Sequence, residues 1–234
     1  MLAGYYGLVA FMDEQVGRIL DCLEQTGLSQ STRVLYASDH GDNAGARGLW
    51  GKSTMYEESV GVPMILAGHG VPSRTVITVP VSLLDVFPTV LDTLGITAET
   101  PTGAASLVSL ARGARPPREV ISEYHAAGSR QGAFMLRDTR WKYVRYVDYP
   151  PQLFDLDSDP DELIDLGASP AHASLRAGLE ARLVAALGAD PAAIDTRAKA
   201  RQTAILEAAG GREAVMARGD LPYSPPPGAR PAWS

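Results

Sequence analysis

Leu8, Met12, Val16, Ile19, Leu20 and Leu23 recur three or four residues apart, and Gly27 follows where a left-handed cap ends a helix. The spacing predicts an amphipathic helix. Val34-Leu35-Tyr36-Ala37 is a short apolar run bounded by polar residues, as expected of a buried strand, and the runs 63–67 and 75–79 read the same way. Ser82 or Asp85 then caps a helix through Val86, Phe87, Val90, Leu91 and Leu94, with Pro88 in its first turn and Gly95 closing it. Helix, strand, strand and helix in this order imply an α/β sheet with helices on its faces.

After residue 112 the texture changes. Gly113-Ala114-Arg115-Pro116-Pro117 reads as a linker, followed by short strand candidates over 120–124, 133–137, 141–147 and 152–156. Asp138-Thr139 sits between two of them as a turn, which predicts an antiparallel meander. Leu175, Leu179, Leu183, Val184 and Leu187 give a helix to cover one face of that sheet, and a further helix runs over about 192–209. The Pro-rich end, YSPPPGARPAWS, reads as a surface-hugging or mobile tail. Three regions are therefore expected: an α/β portion over 1–112, a small antiparallel sheet with a packed helix over 113–190, and a helix with its tail over 191–234.

At 234 residues and 45% hydrophobic, the chain can bury a sizeable core. A formal net charge of -6 provides no general field for nucleic acid or an anionic membrane, so an anionic substrate must be met by local charges. The single cysteine, Cys22, has no internal disulfide partner and reads as a residue of the first helix. The start, MLAGYY, lacks signal-peptide features and no apolar run is long enough to span a bilayer, so a cytoplasmic location is expected.

The chemistry concentrates in YASDHGDNAGARGLWGKSTMYEES, residues 36–59. Asp39 and His40 directly follow the strand ending at Ala37-Ser38, at the carboxyl edge where open α/β sheets bind ligands. A carboxylate and a neutral imidazole can give two ligands to a divalent cation, and Lys52 offers a compact positive charge to an oxyanion such as sulfate or phosphate. A plainer reading stands beside this one: Asp39 as a cap beside a hydrogen-bonded histidine, and Lys52 as a solvated loop lysine. Residues 46–53 also nearly match the phosphate loop G-x-x-x-x-G-K-[ST], but Ala46 replaces the first glycine and no strand directly precedes it. His69 and His172 read as loop and cap residues. The acidic stretch 148–165 fails the EF-hand pattern, with Pro160 at the glycine position and Leu166 at the closing glutamate, and reads as a solvated turn. Tyr56, Glu57 and Glu58 are expected to hold the lysine loop in place.

In order and approximate spacing, YYGLVAFMDEQVGRILDCLEQTGL, VLYASDHGDNAGARGLWGKSTMYEESVGVPMIL, PVSLLDVFPTVLDTLGI and PPQLFDLDSDPDEL resemble the sulfatase family of the alkaline phosphatase superfamily, over roughly residues 4 to 190. The resemblance implies the C-terminal part of an alkaline-phosphatase-like α/β sheet domain followed by the small antiparallel sheet. It implies Asp39 and His40 as ligands of a divalent metal, usually calcium, and Lys52 as the residue contacting sulfate. Histidine at the second ligand position is similar to choline-sulfatase-type and phosphonate-monoester-hydrolase-type members, which leaves manganese open. In that family the second domain leans over the active-site mouth, so His125 in Glu123-Tyr124-His125 is a candidate substrate contact beside its reading as an ordinary strand-end histidine.

The family's nucleophile is a formylglycine made from Cys or Ser in C/S-x-P-x-R, and no such motif occurs. Ser158-Asp159-Pro160 and Ser224-Pro225-Pro226 have the proline but carry Glu162 and Gly228 where arginine is required. The resemblance thus implies a missing N-terminal half carrying the nucleophile and the remaining metal ligands. The chain alone is expected not to turn over a small-molecule sulfate ester. A phosphonate or phosphate monoester hydrolase, and a non-catalytic remnant acting in binding or assembly, are the alternatives. The expected partners are a complementing N-terminal half or further copies of the chain, since an incomplete sheet exposes apolar edges.

Overall fold

The computed structural model describes residues 1–100, 103–114, 117–126 and 129–217. The first helix, α1 (Leu2–Gln25), forms as its spacing predicts, and Gly27 follows with φ 72°. None of its residues is buried, however, and Leu8 and Ile19 are 70% and 61% exposed. Its apolar stripe is largely uncovered, touched at Met12 by the Tyr36 hydroxyl and half-buried only at Val16 and Leu23. β1 (Arg33–Ala37) and β2 (Met64–Gly68) pair antiparallel, in a register running from Arg33 opposite Gly68 to Ala37 opposite Met64.

The run 75–79 is not a strand, and Val76 is 83% exposed. Strand propensity is realised only against a neighbour, and this two-stranded sheet gives the run none. Between β1 and β2 lies the short α2 (Glu57–Val60). Beyond β2, both expected caps act together ahead of α3 (Val86–Leu94): Ser82 Oγ accepts from Leu84 N at 3.1 Å, and Asp85 Oδ2 accepts from Ser82 N at 2.9 Å. Asp85 is fully buried and also pairs with Arg118 at 2.7 Å. The next helix, α4 (Leu107–Ala111), has too few residues for a readable period, yet it buries Leu107, Val108 and Leu110.

The second sheet follows the expected meander. β3 (Val120–Tyr124), β4 (Ala133–Arg137), β5 (Trp141–Tyr146) and β6 (Gln152–Asp155) pair antiparallel in sequence order. Asp138 makes the turn, its Oδ1 accepting from Arg140 N at 3.0 Å and Trp141 N at 2.7 Å. One face packs Phe134, Leu136, Tyr143 and Leu153 against Leu179 and Leu183 of α5 (Ala173–Leu187), and the opposite face packs Met135 and Val144 against Met55. Alternation along β4 thus divides a helix-covered face from a face given to the loop after Lys52. Asp190 caps α6 (Pro191–Ala208) on Ala192 N and Ala193 N. The Pro-rich end and part of the linker, Arg115-Pro116, lie outside the described residues.

The acidic stretch 148–165 is not simply a solvated turn. Lys142, fully buried on β5, lies 2.8 Å from Glu57 and 2.6 Å from Glu162, whose side chain is also buried. Glu162 Oε2 further accepts from Glu57 N at 2.7 Å. Burial pushes the Glu162 carboxyl up, while Lys142 and the Glu57 amide work against that rise. Asp155 forms a two-bond pair with Arg140, at 2.9 and 2.7 Å. A buried ammonium needs carboxylates around it, and this stretch supplies one near its end.

Removing the Lys142 charge strands two carboxylates. Lys142→Met is therefore expected to lower unfolding free energy by about 3–5 kcal/mol, and Lys142→Met with Glu162→Gln to recover part of the loss, both read from urea unfolding midpoints. The largely uncovered stripe of α1 is expected to drive concentration-dependent self-association, weakened by Leu8→Glu with Ile19→Glu; sedimentation velocity checks both statements.

Candidate functional site

β1 ends at Ala37, and the chain turns at once into Ser38-Asp39-His40. Local hydrogen bonds set this turn: Ser38 Oγ donates to His40 O at 2.8 Å, and His40 N donates to Asp39 Oδ1 at 3.0 Å. His40 Nδ1 lies 2.9 Å from Gly41 O, a carbonyl that can only accept, so Nδ1 donates there and Nε2 is the ring nitrogen left for other contacts. That Nε2 is 3.3 Å from Asp39 Oδ2 and in hydrogen-bond contact with Lys52 Nζ. Slight burial works against the charge of Asp39, but His40, the neighbouring backbone amides and Lys52 outweigh it and hold the carboxyl below its usual range. The structure thus brings Asp39, His40 and Lys52 together.

Gly41 stands where no side chain fits: a Cβ there would lie 2.0 Å from Glu58 O, and its N–H donates to Ser59 O at 2.8 Å. The loop that carries Lys52 is closed at its neck. Asp42 Oδ1 accepts from Ala44 N at 2.7 Å and Gly51 N at 3.1 Å, and Asn43 N donates to Gly51 O at 2.7 Å. Arg47 fastens the loop's far side, pairing with Glu58 at 2.5 Å, lying 4.1 Å over the Tyr56 ring and donating to Asp161 O. Tyr56 and Glu58 hold this loop through Arg47, whereas Glu57 turns to Lys142 and Arg137 of the second sheet. The phosphate-loop pattern has no structural counterpart, because 46–53 forms only a 3₁₀ turn at Ala46–Gly48 and the next helix, α2, is four residues long.

Asp39, His40 and Lys52 open onto a cleft of about 730 Å³, whose opposite wall includes Ser122, Tyr124 and Arg137 from the second sheet. His125 does not line it. Side chains alternate along β3, so with Tyr124 facing the cleft His125 turns the other way, where Nε2 meets Glu123 Oε2 at 3.2 Å and the ring edge meets Phe134 at 5.1 Å. There it lines a separate cavity of about 20 Å³ with Gln131, Asp195 and Lys199. Ser122, Tyr124 and Arg137 were not picked out by motif; the two-residue period of β3 and β4 was the available signal. His69 lies in the turn after β2, and His172 precedes α5 with Nδ1 2.9 Å from Ser169 Oγ.

Two ligands of one cation at metal bonds of about 2.1–2.6 Å stand roughly 3–3.7 Å apart when adjacent. The 3.3 Å between Asp39 Oδ2 and His40 Nε2 fits such a pair, and the donor set, one carboxylate and one imidazole nitrogen, suits a divalent ion. No group of three His, Cys, Asp or Glu able to hold a metal occurs among the described residues. The pair fits part of a coordination shell.

The sequence model of the Sulfatase family matches residues 1–96. The chain is 40% identical over 169 residues to a choline-sulfatase of Rhizobium meliloti (strain 1021), covering 71% of this chain and 33% of that protein. It is 38% identical over 177 residues to arylsulfatase K of Mus musculus, covering 70% and 32% respectively. The solved phosphonate monoester hydrolase of Agrobacterium radiobacter superposes with a TM-score of 0.67 at 28% identity, over 79% of this chain and 40% of that one. The chain spans about a third of the length of the curated relatives it matches. No described helix is long and apolar enough to cross a membrane. With its antiparallel sheets and helices matching the C-terminal part of the alkaline-phosphatase-like fold, the chain belongs to the sulfatase family.

Proposed function

We propose that the chain is the C-terminal portion of a metal-dependent hydrolase of sulfuric esters, and that it contributes half of an active site. The observation that carries this reading is the convergence of Asp39, His40 Nε2 and Lys52 Nζ at the mouth of one cleft. Asp39 and His40 would hold a divalent cation, calcium in the first instance and manganese in the second, which neutralises charge on the oxyanion when bound. Lys52 places its ammonium at the same point, on the side from which a sulfate would enter. Asp39 stays ionised, which suits a ligand role. The cleft has room for a small-molecule ester, and its second wall, from β3 and β4, would face the alcohol half.

Covalent chemistry requires a nucleophile that these residues do not supply. The formylglycine and the remaining metal ligands would come from a segment preceding this one in the complete enzyme, so the 234-residue chain alone would not turn over ester. A phosphonate or phosphate monoester hydrolase is the second reading, favoured by histidine beside Asp39 and by the likeness to the Agrobacterium enzyme. A non-catalytic binding or assembly role is the third.

Joining the chain to an N-terminal half carrying C/S-x-P-x-R, then comparing an aryl sulfate with an aryl phosphonate, separates the three. Faster sulfate turnover supports the first reading, faster phosphonate turnover the second, and none the third. In that enzyme Lys52→Ala is expected to lower kcat/KM by about 10²–10³, and near-normal turnover would remove Lys52 from the site. Chelation is expected to abolish turnover and calcium or manganese to restore it, whereas turnover indifferent to chelation would defeat the metal assignment.

A further inference from the structure

Lys52 sits on an exposed stretch whose backbone is bent away from ordinary conformations. Gly51 before it has φ 73°, and Ser53 after it has φ 91°, a region that costs a residue with a side chain about 1–3 kcal/mol. Lys52 and Ser53 are both exposed, and the first buried residue after them is Met55. A strained, exposed turn relaxes unless something outside it holds it. Tyr124 reaches it from the second sheet: its hydroxyl donates to Ser53 Oγ at 2.7 Å. The ring beneath that hydroxyl packs with Val60 against the cluster of Met55, Met135 and Val144, so the donor is itself anchored.

We infer that Tyr124 is a positioning residue, which holds Ser53 in its left-handed conformation and thereby keeps the Lys52 ammonium at the cleft beside Asp39 and His40. The inference deepens the sulfatase reading and rests on it for the role of Lys52, but the mechanical claim concerns this chain alone. Tyr124→Phe isolates the hydroxyl, because it leaves the ring packing in place. Tyr124 belongs to β3 and Ser53 to the first portion of the chain, so the bond also makes the lysine's position depend on how the two sheets are docked.

Trypsin cleaves after Lys52, which reads the turn directly. In the 234-residue chain, Tyr124→Phe is expected to accelerate cleavage there about five-fold or more relative to cleavage after Arg201 on α6. An unchanged ratio would overturn the inference. Ser53→Gly removes both the acceptor and the strain; on that background Tyr124→Phe is expected to alter the ratio by less than about two-fold, and a full five-fold effect would show that Tyr124 acts elsewhere. In the enzyme joined to its N-terminal half, Tyr124→Phe is expected to lower kcat about ten-fold with KM for an aryl sulfate changed less than about two-fold. An unchanged kcat there refutes the positioning role and leaves the sulfatase reading intact. If the parent joined enzyme has no turnover, the sulfatase reading fails and the proteolysis arms alone decide on Tyr124.

Discussion

The ammonium of Lys142 has no access to water, and the placement of the site depends on how that charge is compensated. It projects from β5 toward the face away from α5, where Glu57 opens α2 and Glu162 arrives from the far end of the acidic stretch. An isolated ammonium in such surroundings is costly, and two carboxylates at 2.6 and 2.8 Å remove the cost only if both segments are docked. Docking Glu57 sets the start of α2, whose Ser59 carbonyl accepts the Gly41 amide beside the Asp39-His40 pair. Charge compensation in the second sheet is thereby coupled to the position of the candidate ligands.

Much of the fold was legible because its signals are local. The β3–β6 strands alternate at period two, Asp138-Thr139 marks a turn, and α5 repeats leucine at helical spacing; each needs only its neighbours in the chain to be read. Failures came where a distant partner decides the outcome. The run 75–79 has strand composition but no adjacent strand, and Glu162 looks like any surface acid until Lys142 is placed beside it. α4 is too short to show a period and is fixed by burial instead.

The site divides in the same way. Asp39, His40 and Lys52 lie in one short stretch whose spacing and family resemblance mark them, and the structure brings them together. The opposite wall comes from β3 and β4, contributed by residues with no motif. There the sequence pointed to His125, while strand alternation sends its neighbour Tyr124 to the cleft. One residue of phase decides which side chain faces the cleft.

The four-stranded meander has a consequence for how the chain acquires its structure. Each strand pairs with the one before it, and α5 is the next long element to cover the sheet, so few long loops must close before apolar area is buried. Low contact order makes this portion the natural folding nucleus, while the β1–β2 pair must bridge the whole lysine loop before it forms. The half of the chain bearing the candidate ligands would then mature last, against a sheet already in place.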